Sequence, residues 1–138
     1  MHGINPPNAL NMGNTSRFDF KKLFGSFAFA WTGIKDLIKS EQNARIHLIV
    51  SSLVVAAGFA LKLSTLEWCV VTVCIGLVFS AEAFNTVIEK LVDHLFPEKH
   101  ETARMAKDVA AGAVLFTAIA SALCGVLIFA PKLLALFN

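Results

Sequence analysis

From Phe20 onward, Phe20, Leu23, Phe24, Phe27, Trp31, Ile34 and Ile38 recur at spacings of three or four, while Lys21, Lys22, Lys35, Asp36 and Lys39 supply charge between them. That period predicts an amphipathic helix over about 20–40, able to lie in a membrane interface or to pack its aromatic face on a bundle. Three apolar runs follow: IHLIVSSLVVAAGFAL after Arg45, WCVVTVCIGLVFSA from Trp68, and the uncharged stretch from Val109 to Ala130. Only the last meets the usual span requirement of about 20 residues by itself. The first two become spans if their helices continue into polar ends, giving spans of about 46–62, 67–90 and 108–130.

The connections fit three helices. KLSTLE at 62–67 is short, with Ser64 or Thr65 placed to cap the next helix, so the first two spans form an antiparallel hairpin. The polar segment 94–107 is broken by Pro97 and has room for an amphipathic turn or two from Glu98 before the third span. Residues 1–16 hold most of the prolines and asparagines, read as a flexible tail, and lack the apolar core of a cleaved secretory signal. Residues 17–138 then form a single all-α membrane domain without internal repeats.

Composition strengthens the membrane reading. Hydrophobic residues make up 56% of the chain and charged ones 16%, too few charges for a soluble surface. A soluble bundle would also need polar helix faces, and the third run offers only Thr117 and Ser121. Arg17, Lys21, Lys22, Lys35, Lys39, Arg45, Lys90, Lys99, Arg104 and Lys107 fall on one side of the three spans, Lys62 and Lys132 on the other. The positive-inside rule places the first group in the cytoplasm and the carboxyl terminus outside. A net charge of +2, accounted for by topology, argues against nucleic acid as a partner. Cys69, Cys74 and Cys124 lie in apolar runs without a metal-ligand spacing and read as small hydrophobes. Trp31 and Trp68 read as interface anchors.

The chemistry sits in SAEAFNTVIEK, residues 80–90. Acidic side chains near hydrocarbon are costly and mark function. Glu82, Asn85 and Glu89 fall at i, i+3 and i+7 on one helix face, and Asp93 extends the stripe. Glu82 and Glu89 are about 10 Å apart along the axis, too far to grip one magnesium ion together, so they should differ in role. Glu82, the deeper, suits a base acting on an alcohol from the bilayer. Glu89 and Glu41, which topology returns to the same surface, suit a pair holding metal bound to nucleotide. Asn85 can orient Glu82, donate to a phosphate oxygen, or serve as interhelical glue. Lys107 and Asp108 open the third span: they can meet nucleotide, or Lys107 can snorkel while Asp108 caps its helix. No glycine opens a P-loop or GxGxxG pattern. Arg45 and His47 bracket the start of the first span, where Arg45 reads as an orientation charge and His47 as an interfacial polar residue, or both, with Trp31, as candidate contacts to a lipid.

The blocks EQNARIH at 41–47, EAFNTVIEKLVD at 82–93 and AKDVAAGAV at 106–114 together resemble the small integral-membrane diacylglycerol kinase and undecaprenol kinase family of bacteria, over roughly Phe20 to Phe129. The resemblance implies a surface helix plus three transmembrane helices per protomer, assembled as a homotrimer with sites shared between neighbours in the bacterial cytoplasmic membrane. It implies transfer of the ATP γ-phosphate to a lipid alcohol with magnesium. By the matched motifs Glu82 is the implied catalytic base, Asn85 an active-site polar residue, and Glu41 and Glu89 the metal-coordinating pair. Lys107 and Asp108, with the segment Glu98, Lys99 and His100, match nucleotide-contacting positions. At His47 the chain departs from the diacylglycerol-using pattern, which has a carboxylate there. The N-x-R-I-H block is similar to the undecaprenol kinase branch, and tilts the substrate that way. A small transporter or channel is the competing class, yet its polar groups would line a path across the membrane, and here they crowd one end. A non-catalytic accessory protein would need none of them.

Overall fold

In the computed structural model, which describes residues 20–98 and 100–136, every regular element is a helix: α1 (Phe20–Ser40), α2 (Gln42–Ala60), α3 (Thr65–Leu95) and α4 (Glu101–Leu134). The tail at 1–16 and Lys99 lie outside the described residues. The chain divides into two units, one ending at Ile34 and one beginning at Lys35.

In the first unit, Phe20, Phe24, Phe27, Trp31 and Ile34 are exposed along α1, and the Ser26 and Thr32 hydroxyls turn back onto the carbonyls of Lys22 and Ala28. The second unit carries α2, α3 and α4, the three helices long and apolar enough to cross a membrane. The chain is a multi-pass membrane protein.

Each break between helices has a local cause. Glu41 leaves the helical region, with φ −103° and ψ 125°, and separates α1 from α2. Lys62 adopts a left-handed φ of 52° in the turn after α2. Ser64 then caps α3 in a capping box: its hydroxyl accepts from the Glu67 amide, and the Glu67 carboxylate accepts from the Ser64 amide at 2.6 Å. Pro97, which has no amide hydrogen and restricts the residue before it, follows the end of α3. Glu98 lies in this connection, and helical turns do precede the expected start of the third span at 108, as the first turns of α4, which runs unbroken from Glu101.

The helices pack as antiparallel neighbours, α3 against α4 over most of its length and α2 more lightly against α3. Small side chains permit this approach, as in membrane bundles generally: Ala44 on α2 is fully buried, and Ala103, Ala110 and Val114 on α4 are buried with Val71 and Val78 on α3. Near the turn, Gly58 lies under the Trp68 ring, where an added Cβ would stand 2.8 Å from Cη2, and the Phe59 ring meets Trp68 at 4.8 Å. Polar ties mark the register of α3 on α4. Lys107 pairs with Asp93 at 2.8 Å, the Ser121 hydroxyl reaches the Cys74 carbonyl at 3.4 Å, and Lys132 pairs with Glu67 at 3.1 Å.

Candidate active site

Helix α3 is 31 residues long, about 46 Å, against a hydrocarbon thickness of about 30 Å. It therefore runs past the apolar layer and carries its acidic stripe from inside that layer to the interface. Counting from the aromatic anchor Trp68, Glu82 lies about 21 Å and Glu89 about 32 Å along the helix.

Glu82 is 2% exposed and is the largest side chain to be fully buried among the described residues. Its Oε2 has no hydrogen-bond partner among them, and the same holds for Asn85 Oδ1 and Thr86 Oγ1, both buried one turn further on. Asn85 does spend its amide, donating from Nδ2 to Glu89 Oε1 at 3.1 Å. His47, Glu41 and Glu89 are close enough to act electrostatically on Glu82. Two helices thus converge: α3 supplies the stripe, and the beginning of α2 brings Glu41 and His47 to it.

Glu41 is the N-cap of α2, yet its side chain caps nothing. It accepts instead from the Ser40 hydroxyl at 2.8 Å and pairs with Lys90 Nζ at 3.3 Å, while Lys90 also donates to Ser40 Oγ at 3.0 Å. This links Glu41 to the residue that follows Glu89. No group of three or more His, Cys, Asp or Glu side chains forms a ready metal cage among the described residues. Two carboxylates brought to one level still suit magnesium, which is commonly held by one or two carboxylates with substrate phosphates and water completing the shell.

A second cluster sits at the ends of α3 and α4. Asp93, Glu98, His100, Arg104, Lys107 and Asp108 line an open groove of about 620 Å³. The His100 ring stacks near Phe96 at 5.4 Å. Lys107 is held by Asp93, and Asp108 accepts from Arg104 at 2.8 Å. Asp108 does not cap its helix, because α4 begins seven residues earlier at Glu101 with His100 as N-cap. Along α2, α3 and α4 runs an apolar groove of about 510 Å³ that begins at His47 and passes Val78, Cys74 and Ser121 to Leu133. Its cysteines are free thiols, as is Cys69.

Arg45 is exposed and reaches the Lys39 carbonyl at 3.5 Å, so it remains at the helix start rather than among the buried acids. Trp31 is exposed in the first unit. Two residues of the site escaped the pattern reading. Lys90 could not be found, since its partner lies 50 positions away; Thr86 stands four residues after Glu82, on a face that helical periodicity exposes to view.

Residues 28–129 match the family described as prokaryotic diacylglycerol kinase, and that stretch contains the acidic stripe, both polar clusters, the whole of α2 and α3 and most of α4. The chain belongs to this family. Among its relatives, the undecaprenol kinase of Bacillus subtilis (strain 168) is 40% identical over 117 residues, covering 85% of this chain and 95% of that protein. The diacylglycerol kinase of Synechocystis sp. is 37% identical over 115 residues, covering 83% of this chain and 66% of the relative. That of Helicobacter pylori (strain J99) is 31% identical over 96 residues, covering 70% and 75%.

Proposed function

We propose that the chain transfers the terminal phosphoryl group of ATP to the primary hydroxyl of a membrane lipid alcohol, at the cytoplasmic face of a bacterial inner membrane. The observation that carries this reading is Glu82: a carboxylate 2% exposed in a spanning helix, with one oxygen unpartnered among the described residues, in a chain whose relatives are lipid kinases. An ionisable group in that position is expensive unless it works.

In the proposed reaction Glu82 receives the proton of the lipid hydroxyl. The alcohol oxygen bonds to the terminal phosphorus, the bond from phosphorus to the ADP oxygen breaks, and ADP leaves with the electron pair. Products are the lipid phosphate, ADP and protonated Glu82, which returns its proton to water. Asn85 holds Glu89 in place through its amide and keeps its carbonyl oxygen for the substrates. Glu41 and Glu89 would hold the magnesium ion, which when bound supplies neutralisation of phosphate charge. For Glu41 that requires release from Lys90, an exchange made easy by the exposure of the lysine. Lys107 and Asp108, together with Glu98 and His100, contact the nucleotide in the groove at the ends of α3 and α4. The reading includes a homotrimer whose neighbours complete each site, because three helices enclose little interior of their own.

Undecaprenol is the proposed acceptor in preference to diacylglycerol. His47, near Glu82 at the head of the apolar groove, and the undecaprenol kinase relative support that choice. The test is transfer of labelled phosphate from ATP to undecaprenol and diacylglycerol offered side by side in detergent micelles. Faster labelling of undecaprenol is expected. Preference for diacylglycerol would overturn the substrate choice, and labelling of neither would overturn the function.

A further inference from the structure

We propose that Thr86 is a substrate-binding residue, its hydroxyl donating a hydrogen bond to the oxygen of the lipid alcohol while Glu82 takes that alcohol's proton. The inference rests on the function proposed above and adds the group that aims the attacking oxygen.

A hydroxyl inside a helix has a ready acceptor in the carbonyl four residues back. Ser26, Thr32, Ser52 and Thr117 all use it, at 2.8 to 3.1 Å. Thr86 does not: it is 6% exposed, and its Oγ1 has no partner among the described residues. An unmade bond at a buried polar group costs on the order of 1–3 kcal/mol, so the position calls for a group from outside this chain's own fold. The neighbouring orphans define what that group is. Glu82 Oε2 and Asn85 Oδ1 are acceptors, and Thr86 Oγ1 supplies the donor. The three lie within five consecutive residues on one face of α3. A primary alcohol is the complement of Glu82 and Thr86, with one O–H to give and two lone pairs to offer, and Asn85 Oδ1 is left for another substrate group. Glu82 accepts the O–H, Thr86 occupies one lone pair, and the other is left to meet phosphorus.

The discriminating experiment compares Thr86→Val, which keeps the shape and removes the hydroxyl, with Thr86→Ser, which keeps the hydroxyl, in the full chain in micelles with ATP and either undecaprenol or diacylglycerol. Thr86→Val should lose about 10- to 100-fold in kcat/KM for the lipid, the range expected for a lost hydrogen bond to substrate. Its magnesium-ATP affinity by calorimetry should be unchanged. Its thermal midpoint should equal or exceed that of the parent, because removing a buried hydroxyl that bonds nothing is neutral or stabilising. Thr86→Ser should stay close to the parent in all three. An active parent with a Thr86→Val variant of undiminished lipid kinetics would overturn the inference alone. Weakened nucleotide binding would reassign the hydroxyl to a phosphate, and a lowered midpoint to a structural bond with a second copy; either result overturns it. A parent that phosphorylates neither lipid overturns the function and this inference together.

Discussion

Glu82 and Glu89 have the same side chain on the same face of α3, and their surroundings divide their work. Glu89 is half-buried and receives the Asn85 amide; Glu82 is shut away with one oxygen unpartnered among the described residues. Proton acceptance by a positioned carboxylate is worth about 100- to 10,000-fold in rate. Glu82→Gln, similar in shape but unable to take the proton, should lower turnover by about that range and leave magnesium-ATP binding intact. Turnover and calorimetry on the purified, assembled variant check this; near-parental turnover would remove Glu82 from the base role. That Glu82, Asn85 and Glu89 share a face was legible from their spacing alone. That Glu41 stands beside them was legible only as a shared membrane level. The ion pair with Lys90 that fixes its place crosses from one helix to another, and local periodicity carries no information about such a partner.

At the scale of elements, the three apolar runs identified the spanning helices, but the helix ends were set by other signals. Ser64 and Pro97 punctuate α3 in ways the sequence displays; the turns after Glu98 were legible too, but not that they join the third span in one helix from Glu101, since Arg104, Lys107 and Asp108 make them polar and hydropathy alone reads them as connection. A close approach in the light contact of α2 with α3 is Gly58 beneath Trp68. Gly58→Ala gains about 1 kcal/mol in helix propensity. It also drives a methyl into the indole, an overpacking cost of about 1–3 kcal/mol, and Phe59 limits the ring's retreat. The expected net effect is a lowered thermal midpoint in micelles, with Gly58→Ala/Trp68→Leu recovering part of the loss. A raised midpoint in the single variant would mean that Trp68 swings aside freely and the approach does not hold the hairpin.

For the whole molecule, orientation follows from charge. Lys62 and Lys132 mark one end of the spanning helices, while Arg45, Lys90, Arg104 and Lys107 gather at the other, beside the candidate site. A reporter fused after Asn138 should therefore behave as extracytoplasmic, and a cytoplasmic carboxyl terminus would put the site on the side without ATP. The ion pairs Asp93–Lys107 and Glu67–Lys132 close the two ends of the α3–α4 hairpin, about 38 Å apart along the helices. That exceeds the hydrocarbon layer of about 30 Å and falls within the roughly 40–45 Å that includes the headgroups. The hairpin is thus a gauge of fixed length. A bilayer much thicker than it was built for would draw a charged pair into oil at one end or the other, and must thin around the protein instead. Membrane thickness thereby becomes a mechanical input to the level at which a lipid headgroup meets Glu82.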